Sequence, residues 1–540
     1  MRPRLVELLL VFVCGIGLMV VVTWPLASSI NSRSTDPYDP LFQAWTIDWV
    51  QHAIAPGGDS LWDANIFEPS DRTLTYSDNL VVPSIVLLPA RWAGLKPIGV
   101  LNVGLFVAAG LNVALAYGFA LRVTRSRAGG AVTAAVFSFG PYNSQIIQHL
   151  HIYGHAGLAA AGWSAWELAH TSTRRSRWLA AAALSASMAL TGAMSFYQLP
   201  MAALVAAIVL VTQDRRARTL LSGAAAAGVS AVLLLPVLIP YARSASEIGS
   251  GYHWSLHSIA AGSARFTHAD PRLWLWGSLG TSSDMFFQAT FPGIAVLGIA
   301  VVGLALLVRQ RWRSRLTVGA LLTVVGLVLA LGTADSGWRR WLPYHLLYLL
   351  PGGDGLRAVG RFWVVGLLGL GLVGAVLCAG VEARRSARTS GVLAALIVVA
   401  VLVEGARQPS ALHTIKPHRI DAVLASTRPA GGVLYLPFPP TEPAPLVVVL
   451  SQADVVYRTT AHHRPTPNGY SGYFPSSLTT AVRAAQRLPA TRSVDYFCRI
   501  GTRYVVAPAA EWKRVEGPRL RSVRVVDGEV LGRLVCPPGA

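Results

Sequence analysis

Residues 1–40 read MRPRLVELLLVFVCGIGLMVVVTWPLASSINSRSTDPYDP. Arg2 and Arg4 precede an apolar run that continues to about residue 27, and the chain then turns acidic at Asp36 and Asp39. Roughly 20 apolar residues in a helix cross about 30 Å of hydrocarbon. Basic residues beside such a run hold that end in the cytoplasm. No convincing small-residue cleavage site follows, so the run reads as a retained span and not a removed signal peptide. The first acidic residues then emerge outside, close to the membrane surface.

The pattern repeats along all 540 residues. Further Arg clusters stand at 122/125/127, 174/175/177, 215/216/218, 309/311/313/315 and 384/385/388, each beside an apolar run. We read eleven spans, about 5–27, 98–121, 128–147, 152–169, 178–194, 197–212, 219–241, 291–308, 316–332, 361–380 and 390–405. Their parity places all six Arg clusters on one side, with the N-terminus inside. Residues 80–93 are apolar but short, and Pro83 and Pro89 interrupt them, so they read as a re-entrant or interfacial helix. Composition agrees: 53% of residues are hydrophobic and only 13% charged, with mean hydropathy +0.47. A soluble protein carries about 25% charge, so an ordinary soluble enzyme and a disordered chain are both excluded. The net charge of +20 would suit nucleic acid, but topology already explains the Arg clusters. The expected fold is an α-helical polytopic protein of a bacterial cytoplasmic membrane.

This topology leaves outside loops at 28–97 and 242–290, and an outside tail. The expected organisation is a transmembrane domain at 1–405, whose loop 28–97 bears interfacial helices, and an extracytoplasmic α/β domain at 406–540. Strand-like runs at 432–437, 502–507 and 522–526 support the latter. A linker is expected at 407–417. Cys498 and Cys536 both lie in that outside tail, where conditions favour a disulfide. Cys14 and Cys378 fall within spans and read as inert core residues.

Three places carry candidate chemistry. Residues 31–79 hold eight acids and two arginines, a local net of −6 on a basic protein. Carboxylates there either hold a divalent cation through oxygen or act as a general base toward a hydroxyl. Asp39, flanked by Asp36, Pro37 and Pro40, is the leading residue. Trp45, Trp49 and His52 share one helical face, as in an interfacial amphipathic helix. The second place is the short outside loop with His149, His151 and His155, suited to a metal or a proton relay. The third is the loop before the tenth span. There Arg357 and Arg361 stand four apart where a helix would begin, an arrangement suited to a lipid phosphate or pyrophosphate. Snorkelling to headgroups is the competing reading for both arginines.

Several segments resemble the GT-C class of integral membrane glycosyltransferases, in particular bacterial proteins related to protein mannosyltransferases and aminoarabinose transferases. They are Asp39-Pro-Leu-Phe-Gln-Ala-Trp, Asp63-Ala-Asn-Ile-Phe-Glu-Pro, Phe139-Gly-Pro-Tyr with His149-Leu, Leu350-Pro with Leu356-Arg and Gly360-Arg-Phe, and Arg464-Pro-Thr-Pro-Asn-Gly-Tyr. The resemblance implies a polyprenyl-phosphate-linked sugar donor, action outside the membrane, and an acidic residue of the first loop as base or metal ligand. By position that residue is Asp39, with Asp36 a partner. The sequence departs from the strictest acidic pattern: it has no adjacent acidic pair there, and its second outside loop offers His149 instead of a carboxylate. Mg or Mn held by Asp39 and His149 is the cofactor the resemblance implies.

The expected function is transfer of a sugar from a polyprenyl phosphate to an extracytoplasmic glycan, lipid or protein. Asp39 would be the base, with Asp36 and His149 also catalytic. Arg357 or Arg361 would steady the phosphate, and Trp45, Asp63, Asn65, Asn468 and Tyr470 would contact substrate. His462 and His463 belong to the same tail segment. The alternatives are a transporter or flippase of lipid-linked saccharide, which needs polar groups near the membrane midplane, and a catalytically inactive envelope-assembly protein. The only acids in the expected spans, Glu7, Glu167 and Glu404, lie near span ends.

Overall fold

The run after Arg4 forms a helix, Leu5–Val22, closed where the Thr23 hydroxyl donates to the Met19 carbonyl at 2.6 Å. The structure, a computed structural model, describes residues 4–248, 256–280, 289–307, 313–349, 353–438 and 450–537. Among these, five helices are long and apolar enough to cross a membrane: Leu5–Val22, Pro97–Thr124, Ala217–Ser246, Val359–Arg384 and Ala387–Gly405. Shorter apolar helices lie at Gln198–Gln213, Ile294–Ala305 and Leu316–Ala330. The chain is a helical membrane protein.

The expected count of eleven spans is therefore not met by single long helices, for local reasons. The run 128–147 breaks into Arg127–Phe139 and Pro141–Ile146, because Gly140 is extended and Pro141 has no N–H to continue the ladder. The run 152–169 becomes Leu150–Tyr153 followed by Ala156–His170. The helix Arg174–Met194 is long enough, but arginines in its first turn and Ser185, Ser187 and Thr191 dilute its apolar character.

The chain forms two compact units that do not divide at residue 405. The first comprises residues 1–29, 102–236 and 253–412, and the second 30–101, 237–252 and 413–540. Residues 30–101 and the tail thus fold as one body, joined by hydrogen bonds between their backbones and side chains.

In the first unit, helix Arg313–Ala330 packs along helix Trp363–Arg384 through glycine. A Cβ on Gly326 would lie 2.3 Å from the Gly366 nitrogen, so only a bare backbone permits the approach. The acids of the expected spans answer the chain's own groups. Glu7 accepts from Tyr117 (2.6 Å) and Arg127 (2.8 Å), and Glu167 accepts from Arg122 (2.5 Å). Glu404 accepts from the Ile294 and Ala295 amides (2.8 and 3.2 Å), capping the helix that begins there.

In the second unit, β1 (Arg33–Ser34) pairs antiparallel with β2 (His413–Thr414), so part of the expected linker is a strand. A four-stranded sheet contains β3 (Gly432–Tyr435), β4 (Thr502–Pro508), β5 (Leu520–Val526) and β6 (Glu529–Leu534), in the order β3-β4-β6-β5. The β3–β4 pair is parallel and the others antiparallel. Helix Arg419–Ser426 covers one face, burying Ile420 and Leu424 on Val433, Tyr435, Tyr504, Val506 and Leu531. Helix Ala509–Val515 lays Trp512 against Gly532, which a side chain would displace. Cys498 and Cys536 form a disulfide with Cα atoms 5.5 Å apart. Cys378 is buried, whereas Cys14 lies on an exposed helix face, which corrects its reading as a core residue.

Candidate active site

Asp39 occupies the first position of helix Asp39–Ala53 with Pro40 beside it, a favoured helix start where an acid also meets the positive helix end. The preceding turn is built by Asp36. Its Oδ1 accepts from the Tyr38 amide at 3.0 Å, and its carbonyl accepts from Ser34 Oγ at 2.7 Å. Asp36 is buried, so its observed role is to shape the turn that presents Asp39. Asp39 itself is half-buried, and its Oδ1 accepts from the Tyr470 hydroxyl at 2.8 Å.

An aromatic row fixes Tyr470. Its ring meets the Phe42 face edge-on at 5.4 Å, and Phe42 stacks on Trp45 at 5.4 Å. Trp45 Nε1 donates to Asn65 Oδ1 at 3.0 Å, and Asn65 Nδ2 donates to the Arg464 carbonyl at 3.3 Å. Segments 65–68 and 466–468 also exchange backbone bonds: the Phe67 amide with the Asn468 carbonyl, Glu68 with Thr466, and Thr466 with Asn65. The fold thereby brings Asp36, Asp39, Trp45, Asn65 and Tyr470 together.

Other expected contacts have different employment. Helix Asp39–Ala53 is buried from Pro40 to Gln51, so it is a core helix and not an interfacial amphipathic one. Trp45 is 1% exposed and supports the site from behind. Asn468 is fully buried: it accepts from the Tyr435 amide (2.8 Å) and donates to the Tyr435 carbonyl and Gln452 (3.0 Å each). That bracket holds strand β3 and leaves Asn468 no surface for a sugar. Asp63 pins a local turn through the Arg72 amide and Ser60, each at 2.8 Å.

The first unit holds the remaining candidates. His149 precedes the short helix Leu150–Tyr153, is buried, and meets His151 edge-to-face at 5.7 Å. His155 is tied to the Phe137 carbonyl at 2.9 Å and the Ile152 carbonyl at 3.3 Å. Arg361 is buried with its guanidinium 4.6 Å from the centre of the Tyr197 ring, and Tyr197 accepts from the Ala358 amide at 3.1 Å. Arg361 lies in the turn Val359–Phe362 leading into helix Trp363–Arg384, whereas half-buried Arg357 precedes that turn. Arg361 thus lies at the helix start that the sequence suggests, with Arg357 just ahead of it.

No family model matches the sequence, and no curated protein matches it. Solved structures do. Arabinofuranosyltransferase AftD from Mycobacteria superposes with TM-score 0.59 at 14% identity, over 99% of this chain and 40% of AftD. ArnT from Cupriavidus metallidurans bound to undecaprenyl phosphate gives TM-score 0.52 at 12% identity, over 98% of this chain and 99% of ArnT, and its apo form gives 0.51. The fold is that of the GT-C membrane glycosyltransferases. The chain spans about 40% of the AftD length, so the likeness concerns the fold and not the whole of that protein.

Among the described residues no group of three or more His, Cys, Asp or Glu could hold a metal ion. The chain also contains polar contacts that spacing could not reveal. Buried Asp48 receives Arg91 and His463 Nε2 (2.8 Å), and His463 stacks on His52 at 3.9 Å. Arg272 binds Asp270 at 2.9 Å and Gln148 at 2.8 Å. Burial pushes the Asp270 carboxyl up, but Arg272 and Arg407 outweigh it and hold the group below the usual range. The Asp270-Pro-Arg272 spacing is the one local hint for this pair. The Asp48–His463 partners are separated by 415 residues.

Proposed function

We propose that the protein is a glycosyltransferase that moves a sugar from a polyprenyl-phosphate donor to a hydroxyl acceptor outside the cytoplasmic membrane, with Asp39 as base. One observation carries this reading: a half-buried carboxylate at a helix start, held by the Tyr470 hydroxyl at 2.8 Å, in a chain of GT-C fold. A carboxylate restrained on one oxygen keeps a fixed attitude toward an incoming hydroxyl, which is the geometric demand on a general base. Asp39 takes the acceptor proton, the acceptor oxygen bonds to the anomeric carbon, and the bond from that carbon to the phosphate oxygen breaks. Polyprenyl phosphate leaves with the bonding electrons. A single displacement inverts the anomeric configuration.

Arg361 is the phosphate-binding candidate of the first unit. Its guanidinium is buried and oriented by the Tyr197 ring, so it meets an anion without reorganising. Glycan and lipid profiling of a deletion strain identifies the missing product, and purified chain then transfers from a polyprenyl-phosphate donor in vitro. Asp39→Asn abolishes transfer while the protein still inserts and folds. Wild-type rates in that variant overturn the assignment.

A further inference from the structure

The stretch 138–153 of the first unit is buried throughout, yet it is dense in polar side chains. Among the described residues, both amide atoms of Asn143 and the hydroxyls of Ser138 and Ser144 have no protein hydrogen-bond partner. These three residues are 1%, 1% and 4% exposed. The backbone around them is already committed. Tyr153 donates to the Ser138 carbonyl at 3.1 Å, Arg407 to the Ser144 carbonyl at 3.5 Å, and the Ile147 amide to the Asn143 carbonyl at 3.1 Å. The leftover capacity therefore belongs to side chains, and any apolar residue would have avoided its desolvation cost. In a membrane protein, costly buried polar groups mark functional positions.

The chemistry of the leftover groups restricts the ligand. Asn143 offers an acceptor oxygen and two N–H donors, and each serine offers both a donor and an acceptor. A phosphate or carboxylate only accepts and would leave the Asn143 carbonyl unmatched. A lipid chain matches nothing. A sugar hydroxyl donates and accepts at once, and a ring carries several at fixed spacing. A cation flanks the stretch: Arg272 binds Gln148 at 2.8 Å. Side chains that both donate and accept and one guanidinium thus share this part of the first unit.

We propose that Asn143, with Ser138 and Ser144, forms a subsite that binds the hydroxyl groups of a sugar and selects which sugar is accepted. The inference rests on the transferase reading for what that sugar is attached to. Its test is independent of transfer. The full chain in detergent micelles is titrated with D-arabinose, D-ribose, D-mannose, D-glucose and D-galactose, and binding is read by saturation-transfer NMR. At least one sugar binds saturably. Asn143→Leu, close in size, weakens that sugar by about tenfold or more, the loss of one to two hydrogen bonds. Ser144→Ala weakens it less. Asn143→Leu should fold, since replacing unpaired polar atoms by apolar ones is near neutral. Asn143→Ser, with shorter reach, gives a second measurement and an intermediate loss. The proposal is overturned if no sugar of the panel binds the wild type, or if both Asn143 variants bind as the wild type does, which would leave the site to water. Persistent transfer by Asp39→Asn would sink the transferase reading and leave these binding results standing.

Discussion

Two polar residues of the second unit show how position decides role. Tyr470 donates to the candidate base, whereas Asn468, two residues earlier, is locked into β3. Tyr470→Phe should cut the transfer rate by roughly tenfold or more with little change in folding, because one hydrogen bond to a charged group is worth about 1.5–3 kcal/mol. Asn468→Ala should do the reverse. It strands the Tyr435 backbone and Gln452, and should lower stability by about 2–3 kcal/mol, measured by thermal unfolding. His462 makes a pH prediction. Its Nδ1 accepts from the Arg464 amide, so the neutral ring keeps its proton on Nε2 and donates to the Tyr435 hydroxyl, which donates to Asp421. Burial, aided by Arg464 and other nearby cations, holds His462 down to about 3. The unfolded chain binds this proton below about 6.5, and the folded chain refuses it until about 3. Its contribution is therefore complete above pH 6.5 and shrinks as pH falls toward 3, by up to about 1.4 kcal/mol per unit. His418 acts oppositely: its bond to Glu529 raises it, so its stabilisation holds below 6.5 and fades as pH rises through its raised value. His462→Asn should flatten the acid side of an unfolding-midpoint profile between pH 4 and 7. An unchanged profile would refute the buried neutral imidazole.

Between elements, backbone approach and covalent closure set the packing. Gly326 and Gly366 let two helices touch backbone to backbone. Gly326→Leu should separate them and lower the unfolding midpoint in detergent by several degrees, whereas Gly298→Leu, where an added Cβ meets nothing within 4 Å, should have little effect. The Cys498–Cys536 bridge closes 38 residues, for which chain entropy predicts about 4 kcal/mol. Replacing both cysteines by alanine should destabilise by about 2–4 kcal/mol in chemical denaturation, and an unchanged midpoint would show the bridge to be idle. The break at Gly140–Pro141 went unread in the expected span 128–147, although Phe139-Gly-Pro-Tyr carries the local signal that proline stops a helix. The burial of helix Asp39–Ala53 was not legible. A helix with Trp45, Trp49 and His52 on one face and polar residues elsewhere looks amphipathic until partners cover its other sides. Here Asn65, Arg91 and His463 do so.

On the scale of the molecule, residues 30–101 and 413–540 fold as one unit. Asp39, Asp48, Asn65 and Phe67 all depend on partners between 463 and 470. A chain ending at residue 412 should therefore lose the order of its first loop. Limited proteolysis should cleave between 55 and 75 in the truncated chain and spare the full one. Equal protection in both would show that the loop folds without the tail. Cysteine-accessibility labelling at Ala422, an exposed position, should succeed from outside intact cells, and labelling only after lysis would refute the proposed orientation.

The sequence by itself determined the membrane character, the acidic segment after the first apolar helix and the tail strands. Each follows from local quantities: run length, charge sign and alternation. Only the tertiary structure decided which candidates work together. It paired Asp39 with Tyr470 across 431 residues, assigned Asn468 and Asp36 to scaffolding, and left the Asn143 side-chain amide without a partner among the described residues. Hydrogen-bond partners far apart in the chain are chosen by packing, and no local pattern encodes that choice.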